Sequence, residues 1–278
     1  MKKILFPTDF SNTANAAFLY ALKFAAIFEA EIIVLHVYDF PTIDAPVMPE
    51  ATKDIFDGVT ENQRKNFDAE LKKLGHTAEK RNMSGIKLHN MLEHGDLTYN
   101  IKKICADEEV DLIVMGTTGA SGVAEIFLGS NAATIIENTQ IPVLGIPTAA
   151  ANHHQIKNIV FTTQYKEEDV ATFENLLKIA EKINAKIYCL HVHNDDDPED
   201  VGIKATEWKM KYKNNDVSFF TISGSHVEQT ILDFIENQQV DMVVMLKQKR
   251  NFFERLFHSS LTKKMAYHTK IPILIFKS

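Results

Sequence analysis

The sequence predicts an α/β fold built twice over, as two tandem units that are each a parallel sheet with helices on both faces. Three observations predict it. The chain repeats itself at a long period. Short apolar runs alternate with longer amphipathic stretches, the pattern of strand–helix–strand crossovers. The apolar runs are continuous rather than alternating, as strands read when both faces of a sheet are covered. The 278 residues suit about two domains at roughly 100–200 residues each.

The repeat is direct. Ala-Glu-Ile-Ile-Val-Leu-His-Val at Ala30–Val37 returns as Ala-Lys-Ile-Tyr-Cys-Leu-His-Val at Ala185–Val192, 155 positions later. Ile4–Thr8 returns as Ile159–Thr163 at the same offset. Val110–Met115 returns as Val240–Met245, and Thr139–Leu144 as Thr269–Leu274, both 130 positions later. The second copy is therefore 25 residues shorter between its second and fourth strands. Much of that excess is expected in Asp39–Gly58, which carries Pro41, Pro46 and Pro49. In the first copy, strands are expected near 3–7, 31–38, 86–92, 111–116 and 142–146, with helices near 12–28, 52–81, 97–108 and 130–138. The second copy should place strands near 157–161, 186–193, 217–222, 241–246 and 272–276. Domains follow at 1–147 and 156–278, joined by a linker at 148–155 that has no periodicity. His153 and His154 in that linker lack a third metal ligand and read as a solvated pair.

Composition narrows the function. Hydrophobic residues make up 45% and charged residues 24%, a globular balance rather than a disordered one. No apolar run reaches the roughly 20 residues of a membrane span. Lys2-Lys3 is followed by Asp9 too soon for a signal-peptide core, so a cytoplasmic protein is expected. The net charge of −7 argues against a general nucleic-acid binder. Cys105 and Cys189 stand 84 positions apart, neither a disulfide framework nor a metal spacing. Cys189 lies in an apolar run and reads as core.

The chemistry concentrates in the first copy. In an open parallel sheet, ligands sit beyond the carboxyl ends of the strands, where strand order reverses. There the fourth strand ends at Met115 and is followed by Gly116-Thr117-Thr118-Gly119, then nine residues, then Gly129-Ser130-Asn131 at the start of a helix. Glycines let the backbone approach an anion closely. A helix N-terminus holds negative charge on its free N–H groups. Ser130 adds a hydroxyl and Asn131 an amide. Either half alone reads as turn glycines and a helix cap; together, at this strand end, they read as a phosphate site. Neither a Walker A loop nor the G-x-G-x-x-G fingerprint is present. Asp9, just after the first strand, has two open readings: an acceptor for an exocyclic amine, or, like Ser11, a cap for the first helix. His36 and His191 recur in both copies and read as structural.

Gly-x2-Gly-x9-Gly-Ser at 116, 119, 129 and 130 resembles the ATP-binding motif of the universal stress proteins. The opening Ile4-Leu5-Phe6-Pro7-Thr8-Asp9, the Leu35-His36-Val37 that closes the second strand, and Ile141-Pro142-Val143-Leu144 are similar too. The resemblance spans nearly the whole chain as a tandem form. It implies two Rossmann-like, adenine-nucleotide α-hydrolase-like domains, each a five-stranded parallel sheet in order 3-2-1-4-5. It implies adenine near Pro7, Thr8, Asp9 and the Val37 backbone, ribose near Met115 and Gly116, and phosphates on Thr118, Gly119, Gly129, Ser130 and Asn131. It also implies dimers formed by pairing last strands, so this chain resembles such a dimer fused in one polypeptide, with further homo-oligomerisation expected.

The second copy departs from the motif. Gly116, Gly119 and Gly129 become Leu246, Lys249 and Ser259, only Ser260 is kept, and Asp9 becomes Gln164. ATP binding is expected in the amino-terminal copy alone. Residues 246–270 instead carry Lys247, Lys249, Arg250, Arg255, Lys263, Lys264 and Lys270 against Glu254. This basic loop reads either as a solvated face or as a docking patch, across 247–264, for an acidic partner. Asp195-Asp196-Asp197 lacks an EF-hand pattern and reads as a surface loop before the helix after Pro198.

The leading function is a stress-response regulator that binds ATP and is not an enzyme; a slow ATPase with Mg²⁺ held by phosphates and water is compatible with it. A second class, an enzyme cutting between the α- and β-phosphates of ATP, would need a Ser-Gly-Gly-x-Asp-Ser or His-x-Gly-His signature, and the chain has neither. A third class is a nucleotide-free scaffold in which the last strands of the two copies, Pro142–Ile146 and Pro272–Phe276, pair edge to edge.

Overall fold

A computed structural model describes residues 1–41, 49–117, 130–152, 155–193, 199–247 and 271–277. The first copy runs β1 (Lys3–Pro7), α1 (Asn12–Phe28), β2 (Glu31–Tyr38), α2 (Pro49–Lys80), β3 (Leu88–His94), α3 (Leu97–Asp107), β4 (Leu112–Gly116), α4 (Ser130–Asn138) and β5 (Val143–Ile146). The second runs β6 (Asn158–Thr162), α5 (Glu167–Ile183), β7 (Lys186–His193), α6 (Val201–Lys211), β8 (Val217–Ser223), α7 (Val227–Asn237), β9 (Met242–Lys247) and β10 (Ile273–Lys277).

All ten strands belong to one sheet, in the order β3-β2-β1-β4-β5-β10-β9-β6-β7-β8. Within each copy the strands are parallel, as the sequence predicts, in the order 3-2-1-4-5 that the resemblance implies. The one antiparallel junction is β5 with β10. Leu144 pairs with Leu274, its own counterpart at offset 130, and is flanked by Val143 with Ile275 and Gly145 with Ile273. Pairing centred on equivalent residues is the signature of a local two-fold relation between the copies.

The strands bury both faces. One core lies under α1, α2, α5 and α6 and is continuous across the junction: Phe6, Phe18, Leu144, Phe161, Phe173, Leu274 and Trp208 belong to it. On the opposite face Leu5, Ile104, Ile113 and Ile135 pack under α3 and α4. There Val160, Leu190, Ile231 and Val243 pack under α7. Cys105 and Cys189 are buried free thiols. Burial pushes the Cys105 thiol up to about 12.

Three details differ from the sequence reading. α2 begins at Pro49, not near 52, because proline's fixed φ suits the first helical position. α2 has 32 residues and its counterpart α6 has 11, so the helix itself accounts for 21 of the 25 extra residues. Residues 148–152 of the aperiodic segment form a short 3-10 helix, an element the sequence did not indicate. Ala150 is fully buried there, its carbonyl accepts from the Tyr20 hydroxyl at 3.1 Å, and Thr13 and Thr148 hydroxyls meet at 2.6 Å. His153, His154 and Asp195–Pro198 lie outside the described residues.

Leu144, fully buried on the local two-fold axis, is expected to cost about 2–5 kcal/mol when replaced by alanine. Urea unfolding of Leu144→Ala against the unaltered chain checks this.

Candidate functional site

β1 lies between β2 and β4, and the chain leaves β1 toward one neighbour and returns on the other side through β4. The carboxyl ends of these strands are where an open α/β sheet offers a crevice. The backbone of β1 decides what happens there. The Thr8 N–H donates to the Leu35 carbonyl of β2 at 2.9 Å. Alternation along a strand therefore turns position 7 toward β4. That residue is Pro7, which has no N–H. The β1–β4 ladder pairs Ile4 with Leu112 and Leu5 with Ile113, and goes no further. In the second copy position 7 is Thr162, and β6 pairs with β9 through two more residues, Phe161 with Val244 and Thr162 with Met245. The strand tips of the first copy are left untied; those of the second are zipped.

Beyond β1 the chain turns sharply. Phe10 takes a left-handed φ of 58°, and its N–H donates to the Thr8 hydroxyl at 2.9 Å. The His36 Nδ1–H donates to the Thr8 carbonyl at 2.8 Å, which fixes the turn on β2 and makes that nitrogen the protonated one in neutral imidazole. Phe10, His36 and Phe67 of α2 pack as a ring cluster, with centroids 5.1 and 6.0 Å from Phe10. Tyr165, His191 and Trp208 repeat this arrangement, and His191 Nδ1 lies 2.9 Å from the Thr163 carbonyl. Both histidines are thus backbone latches. Ser11 caps α1, accepting from the Ala14 N–H at 3.2 Å. The exposed Asp9 carboxylate accepts from the Ser11 N–H at 3.0 Å, so it braces the turn and does not cap the helix.

The second turn gathers its donors on a buried carboxylate. In the second copy Asp169, 2% exposed, accepts from the Thr163 hydroxyl at 2.7 Å and from the Gln164 and Lys166 N–H groups at 3.0 and 3.1 Å. The equivalent position of the first copy is Ala14, so no carboxylate stands there.

A model of the universal stress protein family matches residues 1–147 and again 155–277. The chain belongs to that family. Two universal stress proteins of Methanocaldococcus jannaschii are similar to it. One is 33% identical over 143 residues, covering 51% of this chain and 80% of its own length. The other is 35% identical over 157 residues, covering 51% and 93%. A solved universal stress protein from Archaeoglobus fulgidus shares the fold across the tandem: TM-score 0.72 at 20% identity, over 99% of this chain and 96% of that one.

Within this universal stress fold, the sequence-derived residues fall as follows. Pro7, Thr8 and Asp9 close β1, Val37 lies half-buried near the end of β2 opposite Glu93, and Met115 and Gly116 end β4. Ser130 opens α4, and Asn131 is exposed in its first turn. Thr118, Gly119 and Gly129 lie outside the described residues, as does the basic stretch from Lys249 to Lys270; Lys247 is the last residue of β9. Gly116 has a packing reason that sequence reading did not supply. A Cβ there would meet the Thr13 side chain at 2.8 Å and its backbone at 3.1 Å, so glycine seats the start of α1 against β4. Leu246, its counterpart, is 6% exposed and joins the core. An aromatic group at the ends of β2 and β3 also went unread: Phe40 lies 5.2 Å from His94 and 4.7 Å from Phe56 between ring centroids.

Replacing Asp169 with alanine leaves three donors without their acceptor and is expected to destabilise the chain by about 1–3 kcal/mol. Denaturant unfolding checks the loss, and Asp169→Glu separates charge from reach.

Proposed function

We propose that the amino-terminal copy binds ATP as a regulatory ligand in the crevice at the tips of β1 and β4, and that the carboxy-terminal copy does not. The observation that carries this reading is the early end of the β1–β4 ladder at Pro7, set against the longer β6–β9 ladder. Adenine lies by Pro7, Thr8, Asp9 and the Val37 backbone, and ribose by Met115 and Gly116. The triphosphate lies along Thr118, Gly119, Gly129, Ser130 and Asn131, where glycine permits close backbone approach and a helix start favours anions. Among the described residues no three His, Cys, Asp or Glu side chains converge to hold a metal. Mg²⁺ is carried mainly by the phosphates and water.

The second copy acts through its structure. Its β10 covers the β5 edge and makes a dimer-like pair within one chain. Such a regulator needs no catalytic residue and works in the cytoplasm, where nucleotide occupancy selects the partner it meets. The basic 247–264 segment is the place for an acidic partner. The same β5–β10 junction also favours a second reading, a scaffold that works without nucleotide.

Titration calorimetry with ATP and Mg²⁺ separates the two readings. The expected stoichiometry is one nucleotide per chain, and Gly129→Val should weaken binding by at least about tenfold while leaving the fold intact. Two nucleotides per chain would remove the asymmetry, and no binding at millimolar ATP would favour the scaffold.

A further inference from the structure

We propose that β8 is the surface through which two copies of this chain pair, antiparallel, into a dimer. The ten-stranded sheet ends in two edge strands, β3 and β8. An edge presents a row of unpaired backbone groups, and proteins protect edges with charge, proline or cover. β3 is protected: it carries His89, Glu93 and His94, and Glu31 beside it pairs with Lys87 and His89 at 2.8 Å. β8 reads Val-Ser-Phe-Phe-Thr-Ile-Ser over seven residues, with no charge and no proline.

The direction of its backbone groups is fixed. Ile187 N–H donates to the Asp216 carbonyl and Gly224 N–H to the His193 carbonyl, so the even-numbered residues of β8 face β7. The odd-numbered residues face outward. The Val217 N–H is used locally, on the Asn215 carbonyl at 2.8 Å. Phe219, Thr221 and Ser223 therefore direct N–H and C=O groups away from the sheet, with no backbone partner among the described residues.

These groups select a second copy as the occupant. An antiparallel pair centred on Thr221 sets Thr221 opposite Thr221 and Phe219 opposite Ser223, using every outward N–H of those three residues on both strands. Thr–Thr is a favourable cross-strand pair, and no like charges meet anywhere along this register. Pairing β8 with β3 of another chain would leave a free edge at each end and grow into a filament, whereas β8 with its own copy closes after two chains. The chain already joins strands this way internally, at the β5–β10 pair centred on equivalent residues.

Sedimentation velocity on the full chain tests this, with Thr221→Lys and Thr221→Glu. Thr221 is exposed, so either side chain reaches solvent from the folded monomer. The unaltered chain should sediment at twice its 31.5 kDa mass. Each variant should weaken the dimer by at least about tenfold, because like charges then face each other at the centre of the pair. An equimolar mixture of the two should recover the dimer, which also proves both variants folded. Asn90→Lys on β3 should change nothing. A monomer at concentrations on the order of 100 µM, or variants that dimerise undiminished, or a mixture that fails to recover the dimer, would overturn the proposal.

Discussion

A single missing hydrogen-bond donor governs the architecture of the candidate site. Pro7 stands where β1 would next donate to β4, and the ladder stops there. The turn that follows is anchored from the other side, by Thr8 on the Leu35 carbonyl and by His36 on the Thr8 carbonyl. The tip of β1 is therefore held firmly to β2 and left untied from β4. Gly116 completes the arrangement by letting α1 seat closely on the end of β4. The second copy keeps the histidine latch and the ring cluster but changes the residue at the ladder position, and its strands close.

The two copies are physically dependent on each other whatever either one binds. β5 is only four residues long, and without β10 it would be a bare apolar edge. α1 is unusually buried for an outer helix, with ten residues inside, because the 148–152 turn packs on it and the core beneath continues into the second copy. A copy that no longer held a ligand would still be retained by this packing, since removing it uncovers Leu144, Ile146 and Ala150 together.

The fold was legible because strands buried on both faces leave continuous apolar runs, and because the repeat supplied each element twice. What misled the reading was local. Three prolines in Asp39–Gly58 obscure where α2 starts, and Pro49 suits its first position. The solvated side of α2 carries paired charges such as Glu61 with Lys65 and Glu70 with Lys73, and the helix was legible across 52–81. Residues 148–152 are too few to show a period, and their burial depends on Tyr20 and Thr13, far away in sequence. Of the proposed site, Asp9 and Met115–Gly116 stand at strand ends that the sequence marks, and Val37 came with the family resemblance. The role of Pro7 could not be read, because it depends on which neighbouring strand the backbone at position 7 faces.

Asp169 was hidden for a different reason. In sequence it closes the acidic run Glu167-Glu168-Asp169 at a helix start, where negative side chains are favoured by the helix dipole and need no further explanation. In the structure it is the only one of the three that is buried, and it gathers the Thr163 hydroxyl and two backbone N–H groups of the turn. Donors of this kind at the mouth of a crevice cost about 1–3 kcal/mol each when buried and unmet. Gln164 stands where the first copy has Asp9, whose carboxylate meets the equivalent Ser11 N–H. With Gln164 in that place the Asp169 carboxylate is the acceptor, and a helix N-terminus favours its charge. The acid of the turn thus stands at position 9 in one copy and at position 169 in the other, and each meets the N–H of the residue that precedes the helix.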